Sequence, residues 1–305
     1  MMNHPTAATP AQPLDIVFDM ETDDPDDFLT LLLLLGHPRA RLRAVTIVPG
    51  SPEQVGLVRA ALGWFGADLP VGVFNPRPEK PAVSPWHAAA YGAVAPAHDA
   101  EGGAEVLLRT ATPQTALLVG GPLRNVQAAI QLAAVRGAVF APGRVVIQGG
   151  FAGTHLVPPE RQLPRFHGLE TAVSHNLSKH SKSALAALAH PGFGERRLVS
   201  KNVCHRALYD RELHARIAPL RPRSRSLDLI WQGMEVYLRE RPDGKLLHDP
   251  LAACCALDPG VASWAEVEVY SQRGEWGARP APGSGTWITV DYDPDRFEQL
   301  LTEVG

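Results

Sequence analysis

The chain has 305 residues, of which 45% are hydrophobic and 20% charged, an ordinary globular composition that allows a large core. Its formal net charge is −3, so nothing suggests nucleic acid or an anionic membrane as a partner. The longest run of leucine has five residues, which is far too short to span a membrane.

The predicted elements begin after residues 1–13, which lack the basic start and apolar core of a signal peptide and are expected to form a disordered leader. The rest, 14–305, is expected to form a single domain. Strands are predicted over 14–18, 42–48, 69–74, 116–119 and 144–147. Helices are predicted over 27–35, 53–65, 104–111, 123–136, 183–189 and 228–240. This alternation predicts an α/β fold with a mostly parallel sheet flanked by helices.

Segments between these elements are also informative. Residues 75–103 and 152–170 are rich in Pro, Gly and His, and long loops of this kind often cover a site. The basic run 221–225 is expected to be a solvated loop. The three cysteines form no disulfide framework, so buried free thiols and a reducing, cytoplasmic setting are expected. They are Cys204, Cys254 and Cys255.

An acidic cluster follows the first predicted strand. Six of the nine residues 19–27 are acids, and the apolar run 29–35 comes directly after them. A helix N-terminus accounts for one or two acids through its dipole and its free N–H groups, but not for six. A bound divalent cation accounts for the others, and carboxylate oxygens favour Ca²⁺ or Mg²⁺. The alternative is a solvated acidic turn with Pro25 near the first helical turn.

Other polar or glycine-rich segments also follow predicted strands. They are residues 48–51, 120–122 and 148–150. Since ligands of parallel α/β sheets bind beyond the carboxyl ends of the strands, we expect these segments and the acidic cluster to converge on one edge. Their convergence favours a functional interpretation of the cluster.

His248 and Asp249 stand before a late apolar segment and have two interpretations. Asp249 followed by Pro250 is typical of a helix start, with the aspartate as its cap. The alternative is that Asp249 is a remote metal ligand and that His248 points into the same cleft.

The combination resembles the inosine–uridine-preferring nucleoside hydrolase family. That family has a D-x-D-x-x-x-D-D element after the first strand, a G-P-L-T-N element after a middle strand and an H-D element before a late helix. The similar segments here are residues 19–27, the string GPLRN at 121–125, and His248 with Asp249. The string from Asp27 to residue 48 and the segments 273–277 and 288–291 also resemble the family, so the likeness covers nearly the whole chain. It implies a Rossmann-like nucleoside hydrolase fold.

The resemblance implies Ca²⁺-dependent hydrolysis of the N-glycosidic bond of a nucleoside or modified nucleoside, with a role in purine or pyrimidine salvage. Asp27 and Asp249 would bind the metal through their side chains, and Arg124 through its main-chain oxygen. Asp26 would face the ribose hydroxyls. His248 would protonate the departing base, because the pKa of histidine lies near neutrality; the alternative is a histidine merely hydrogen-bonded beside the ligand. A homodimer or homotetramer is also implied.

The general base is ambiguous, because the acidic run is one residue longer than the family's. Aligning from the strand makes Glu21 the base and a further metal ligand. Aligning by the D-x-x-x-D-D spacing selects Asp19 with Asp23 and Asp24 instead. We favour Glu21, since the helix after Asp27 then aligns without a gap; Asp23 and Asp24 would lie in an enlarged loop and reach the substrate.

The expected sugar contacts also depart from the family. Ser51 stands where the family has an asparagine, and Ser174 stands where it has a glutamate. His175 and Asn176 complete the expected substrate contacts, with His175 or Glu170 as a substitute for the missing acid. These changes suggest an atypical nucleoside. They also favour a second hypothesis, a catalytically inactive protein that binds a nucleoside-like ligand. A third hypothesis is another metal-assisted hydrolase, such as a phosphatase. It is disfavoured because the sequence contains no phosphate-binding glycine-rich loop.

Overall fold

An interior strand of the sheet, β1, carries the start of the acidic cluster at its end. The computed structural model describes residues 12–78 and 80–304, so the expected leader lies outside the described residues except for its last two positions. The strands are β1 (Leu14–Met20), β2 (Ala40–Ile47), β3 (Val71–Val73), β4 (Glu101–Gly102), β5 (Ala116–Val119), β6 (Arg144–Gln148), β7 (Thr171–Ala172), β8 (Arg196–Val199), β9 (Leu208–Tyr209), β10 (Lys245–Leu246), β11 (Ala262–Gln272), β12 (Glu275–Pro280) and β13 (Thr286–Tyr292).

Eleven of these strands form one sheet, in the order β4-β3-β2-β1-β5-β6-β8-β13-β11-β12-β7. The first eight run parallel, and β11, β12 and β7 add antiparallel pairs at one edge. Asp19 pairs in register with Thr46 and Val119, and Val119 pairs with Ile147. The carboxyl ends of β1, β2, β5 and β6 therefore lie side by side, as the sequence predicted.

The helices flank this sheet. They are α1 (Pro25–Gly36), α2 (Pro52–Trp64), α3 (Pro85–Tyr91), α4 (Gly103–Thr110), α5 (Arg124–Arg136), α6 (His175–Lys179), α7 (Ser181–Ala189), α8 (Lys201–Cys204), α9 (Arg211–Ile217), α10 (Arg225–Glu240), α11 (His248–Leu257) and α12 (Pro294–Leu301). None of the helices in the described residues is long and apolar enough to cross a membrane.

The core has two layers, one on each face of the sheet. Alternate residues of β1 point to opposite faces, so Ile16, Phe18 and Met20 join one layer and Val17 joins the other. Helix α1 is buried on nearly all sides between the sheet, α10 and α11. Its continuous run of leucine explains this, because a helix that is apolar all round cannot present a polar face to water.

The predicted α/β fold with a mostly parallel sheet is confirmed, and the three cysteines are buried and free as expected. Two local predictions were wrong. The expected loop 75–103 contains helix α3, which Ser84 caps, and the short strand β4. The expected loop 221–225 begins within a 3₁₀ turn, where Arg221 pairs with Asp228 and lies over the Trp231 ring.

Candidate active site

A cleft of about 440 Å³ lies at the carboxyl ends of β1, β5 and β6. Six of its lining residues are acids drawn from the acidic cluster and from the start of α11. These are Glu21, Asp23, Asp24, Asp26, Asp27 and Asp249. The other lining residues follow the ends of β5, β6, β7, β8 and β10. They are Gly120, Gln148, Gly149, Ser174, His175, Asn176, Lys201, His205 and His248.

Three buried aspartates form the floor of this cleft. Asp26 and Asp27 lie in the first turn of α1, Asp249 lies in the first turn of α11, and one oxygen of each lies within 4.8 Å of the others. Gly120, at the end of β5, permits this approach. A Cβ atom there would lie 2.5 Å from Oδ1 of Asp27 and 2.7 Å from Oδ1 of Asp249, so only glycine leaves both oxygens in place.

The electrostatics of this group call for a cation. Burial, and then the neighbouring Asp249, raise the pKa of Asp27 well above its usual value. Burial, and then Asp26, do the same to the pKa of Asp249, whose Oδ1 is buried without a hydrogen-bond partner in the described residues. Adjacent buried carboxylates are costly unless a positive charge compensates them. Because all the donors are carboxylate oxygens, the residues fit a hard divalent cation.

Asp26 differs from the other two because the protein already satisfies its oxygens. Its Oδ1 accepts a hydrogen bond from Lys245 Nζ at 3.1 Å, and its Oδ2 accepts the backbone N–H of His248 at 3.0 Å and that of Asp249 at 3.4 Å. Burial alone would raise the pKa of Asp26, but Lys245 brings it down to about 2. From the sequence, Asp26 is expected to face the ribose hydroxyls. In the structure its carboxylate binds the start of α11 and a buried lysine.

Glu21 is nearly buried and lines the same cleft, but it is not one of the three acids whose oxygens meet within 4.8 Å. Its carboxylate accepts a hydrogen bond from Lys179 Nζ at 3.0 Å and lies 3.3 Å from Nε2 of His175. Its backbone N–H donates to Oδ1 of Asp27 at 3.2 Å. Glu21 is therefore placed beside the aspartates and held by two basic side chains.

The alternative candidates for the base lie in different surroundings. Asp19 is fully buried beneath the cleft, where Oδ1 accepts hydrogen bonds from Thr46 at 2.6 Å and Asn125 at 2.8 Å, and burial raises its pKa to about 7. Asp23 lies at the rim, 3.5 Å from Lys179. Asp24 lies 3.0 Å from Lys245. Of these acids, Asp23 and Asp24 line the cleft and Asp19 does not.

His248 lies in the cleft, but its chemistry departs from the sequence expectation. Its ring stacks on that of His205, with 4.9 Å between centroids, and its Nε2 is buried without a partner in the described residues. Burial lowers the pKa of His248 to about 4 instead of leaving it near neutrality. At neutral pH the ring is therefore uncharged, and it can offer an N–H hydrogen bond but not the proton of an imidazolium.

The expected sugar contacts separate into two groups. His175 and Asn176 line the cleft, and Nδ2 of Asn176 donates to Gly120 O at 2.6 Å and to Gln148 Oε1 at 2.8 Å. Ser51 lies elsewhere: it caps α2, is buried, and donates its hydroxyl to Pro81 O.

Two further residues that the sequence singled out also fall outside the cleft lining. Glu170 lines a separate surface groove with Tyr270. Arg124 begins α5, and its guanidinium lies 4.1 Å from the centroid of Phe74, beside a neighbouring cavity of about 770 Å³. The cleft and this cavity share Glu21 and Asp23 in their linings.

Sequence reasoning missed the basic residues of the site. Lys179 and Lys245 bind the acids, while Lys201 and His205 line the cleft. Lys245 gave no local signal, because it follows the polar segment 239–244 and resembles an ordinary turn lysine. Lys179 and Lys201 belong to α6 and α8, two short helices that no periodic pattern predicted.

The chain matches the inosine-uridine preferring nucleoside hydrolase family over residues 16–299. It belongs to that family. The members of this family are N-glycosyl hydrolases that act on nucleosides, small molecules, so the family and the fold support N-glycosidic hydrolysis. The family is metal-dependent, which agrees with the cluster of Asp26, Asp27 and Asp249.

Similar proteins cover nearly the whole nucleoside hydrolase chain. A protein of Aquifex aeolicus (strain VF5), described as uncharacterized, is 27% identical over 292 residues, which are 91% of this chain and 94% of that protein. A plant nucleoside hydrolase structure has a TM-score of 0.72 at 18% identity and covers 95% of this chain and 98% of its own. The inosine-uridine preferring nucleoside hydrolase of Bacillus anthracis has a TM-score of 0.67 at 18% identity, with the same coverage. At these identities the structures share the fold.

Proposed function

We propose that the protein is a Ca²⁺-dependent nucleoside hydrolase that cleaves the bond between C1′ of a ribose and the nitrogen of a nucleobase. The observation that carries the proposal is the group of three buried aspartates around Gly120, in which Asp249 Oδ1 lacks a partner. Asp27 and Asp249 would hold the ion. Ca²⁺ is favoured over Mg²⁺ because it accepts irregular carboxylate shells, and sugar hydroxyls can complete such a shell.

The chain's own residues supply the rest of the reaction. A bound divalent cation would contribute Lewis-acid activation of water. Glu21 is the residue we assign as general base, because its carboxylate lies in the cleft next to Asp27. Breaking the C–N bond builds positive charge on the sugar ring, and the surrounding carboxylates stabilise that charge. His248 and the neighbouring His205 donate N–H hydrogen bonds toward the departing base.

A second candidate function is binding of a nucleoside-like ligand without turnover. The contacts of Glu21 favour it, because one carboxylate oxygen accepts a hydrogen bond from Lys179 at 3.0 Å and the other lies 3.3 Å from His175, so neither oxygen is free to accept a proton from water. In that case the cleft would hold a ligand and a metal, and no base would be released.

The two functions are separated by a mass-spectrometric screen of the purified protein against common and modified nucleosides, with and without EDTA. Release of a free base that EDTA abolishes and added Ca²⁺ restores is the expected result. Calcium bound in the absence of any base release would instead support the binding protein.

A further inference from the structure

Two cationic side chains, one lining the cleft and one beside it, bind none of its acids. Lys201 begins α8, directly after β8, and lines the cleft; its Nζ donates to Val173 O at 2.9 Å. Arg165 is exposed, contacts Nδ1 of His205 through its guanidinium, and lies 4.8 Å from the centroid of the Phe166 ring. Lys201 Nζ lies 5.8 Å from the centroid of the same ring, so both cations lie against Phe166.

These two cations lack a counter-ion. Within the described residues, neither Lys201 nor Arg165 forms an ion pair with a carboxylate; their polar contacts are the Val173 carbonyl and the His205 ring. Because both cations face the same Phe166 ring, they lie close enough to repel each other; accordingly, burial and then Arg165 lower the pKa of Lys201. A bound anion would relieve this repulsion and bring each cation a charge-assisted hydrogen bond.

The position of this pair indicates where an anion would bind relative to the aspartates. The link between Lys201 and Val173 ties the cation to the segment that carries Ser174, His175 and Asn176 into the cleft. Ser174 adds no negative charge there, and its Oγ accepts the backbone N–H of Gly150 at 2.8 Å. An anionic group would avoid the carboxylates and lie against Lys201, while the neutral hydroxyls of the same molecule reach the aspartates.

We propose that the substrate carries a phosphomonoester on its sugar, so that the enzyme hydrolyses a ribonucleoside 5′-monophosphate in preference to a neutral nucleoside. This inference rests on the proposed function. A phosphomonoester carries about −1.5 to −2 charges at neutral pH, which matches two cations better than a single carboxylate does. Water adds its oxygen to C1′ and a proton to the leaving base as the C–N bond breaks, and the phosphate ester is unchanged.

The first test measures binding, without turnover. Calorimetry on the Ca²⁺-loaded protein compares ribose 5-phosphate with ribose. We expect ribose 5-phosphate to bind at least 10- to 100-fold more tightly, the factor that one charge-assisted hydrogen bond supplies. Equal affinity for the two sugars would overturn the inference.

Two substitutions locate the phosphate. Lys201→Met keeps the length of the side chain, and Arg165→Met changes an exposed position, so the second variant is informative even if the first destabilises the fold. Each should reduce the preference for ribose 5-phosphate over ribose by about tenfold or more. The matched control is Arg161→Met in the same loop, where the arginine pairs with Asp291 at 3.2 Å. A preference that persists in both variants would contradict the assignment.

A parallel assay of base release separates this inference from the proposed function. It compares inosine and uridine with their 5′-monophosphates, and includes orotidine, which carries a carboxylate on the base. Faster release from the monophosphates supports the inference. Release from the nucleosides alone, or preferential release from orotidine, overturns it and leaves the hydrolase standing. No release from any compound removes the proposed function, while the sugar-binding measurement still decides whether the phosphate site exists.

Discussion

At the scale of single residues, substitution of Glu21 tests whether the protein catalyses hydrolysis with this residue as the general base. Glu21→Gln keeps the size of the side chain and can still bond to Lys179, so we expect a folded protein with unchanged thermal stability. If Glu21 is the general base, kcat should fall by about 10²- to 10⁴-fold. Steady-state kinetics on the substrate found by the screen measures this. Asp68→Asn, at an exposed position outside the cleft, is the control. Full activity in Glu21→Gln would direct attention to Asp19, Asp23 or Asp24.

Asp249 is the residue whose removal should reveal the metal site without any assay of turnover. In the metal-free protein, Asp249→Asn removes one charge from a buried group of like charges, so it should raise the free energy of unfolding by roughly 1–3 kcal/mol. In the presence of Ca²⁺ the wild type should be more stable than the variant, because only the wild type gains stability from the ion. Thermal melts with EDTA and with Ca²⁺ measure both effects.

The control for this comparison is Asp243→Asn. Asp243 is exposed in the turn before Lys245, so its removal should leave both melting temperatures nearly unchanged. Retention of the full Ca²⁺-induced stabilisation in Asp249→Asn would exclude Asp249 as a ligand.

At the scale of elements, the end of β5 sets the spacing of the carboxylates of Asp27 and Asp249, the proposed metal ligands. Gly120→Ala would place a methyl group 2.5 Å from Asp27 Oδ1, so one carboxylate must move. We expect at least a tenfold loss of Ca²⁺ affinity by calorimetry, since overpacking of this kind costs about 1–3 kcal/mol. Gly121→Ala is a close control, because its nearest neighbour would be 3.4 Å away. Equal Ca²⁺ affinity in the two variants would contradict this account.

The elements also show why the sequence predicted part of the site. The ends of β1, β5 and β6 were predictable because buried strands are short apolar runs, and their carboxyl ends converge in any parallel sheet. That Asp27 and Asp249 lie close together was predictable for that reason, together with the family motifs; their role as metal ligands stays a prediction.

What the sequence could not predict depends on long-range contacts. Lys245 lies 219 positions from Asp26, and no local pattern relates them. The contact between Asp26 and the N-terminus of α11 also joins residues that are far apart in the sequence, so no local pattern predicts it. Asp26 accepts the first backbone N–H groups of α11, so the carboxylate of Asp249 does not make the cap that the sequence also allowed.

At the scale of the whole molecule, the single domain and the oligomeric state remain predictions. The packing of the core can be tested through the pH dependence of the free energy of unfolding. His87 lies in α3 against Phe28 and Trp86, is 2% exposed, and its Nε2 has no partner in the described residues. Burial lowers its pKa from 6.5 to about 4. Helix α3 is thereby held to the core by a histidine that must stay neutral.

A depressed histidine pKa has a definite sign in the pH dependence of stability. Above pH 6.5 the ring is neutral in both states; as the pH falls toward 4, the unfolded chain takes up the proton first, so stability is lost across this window. The shift corresponds to at most ~3 kcal/mol. Between pH 7 and pH 4, the free energy of unfolding should therefore decrease less in His87→Phe than in the wild type, by up to ~3 kcal/mol. Urea denaturation at the two pH values measures this difference. The exposed His98→Phe is the control. Equal pH dependence in wild type and His87→Phe would show that His87 protonates without disturbing the packing of α3.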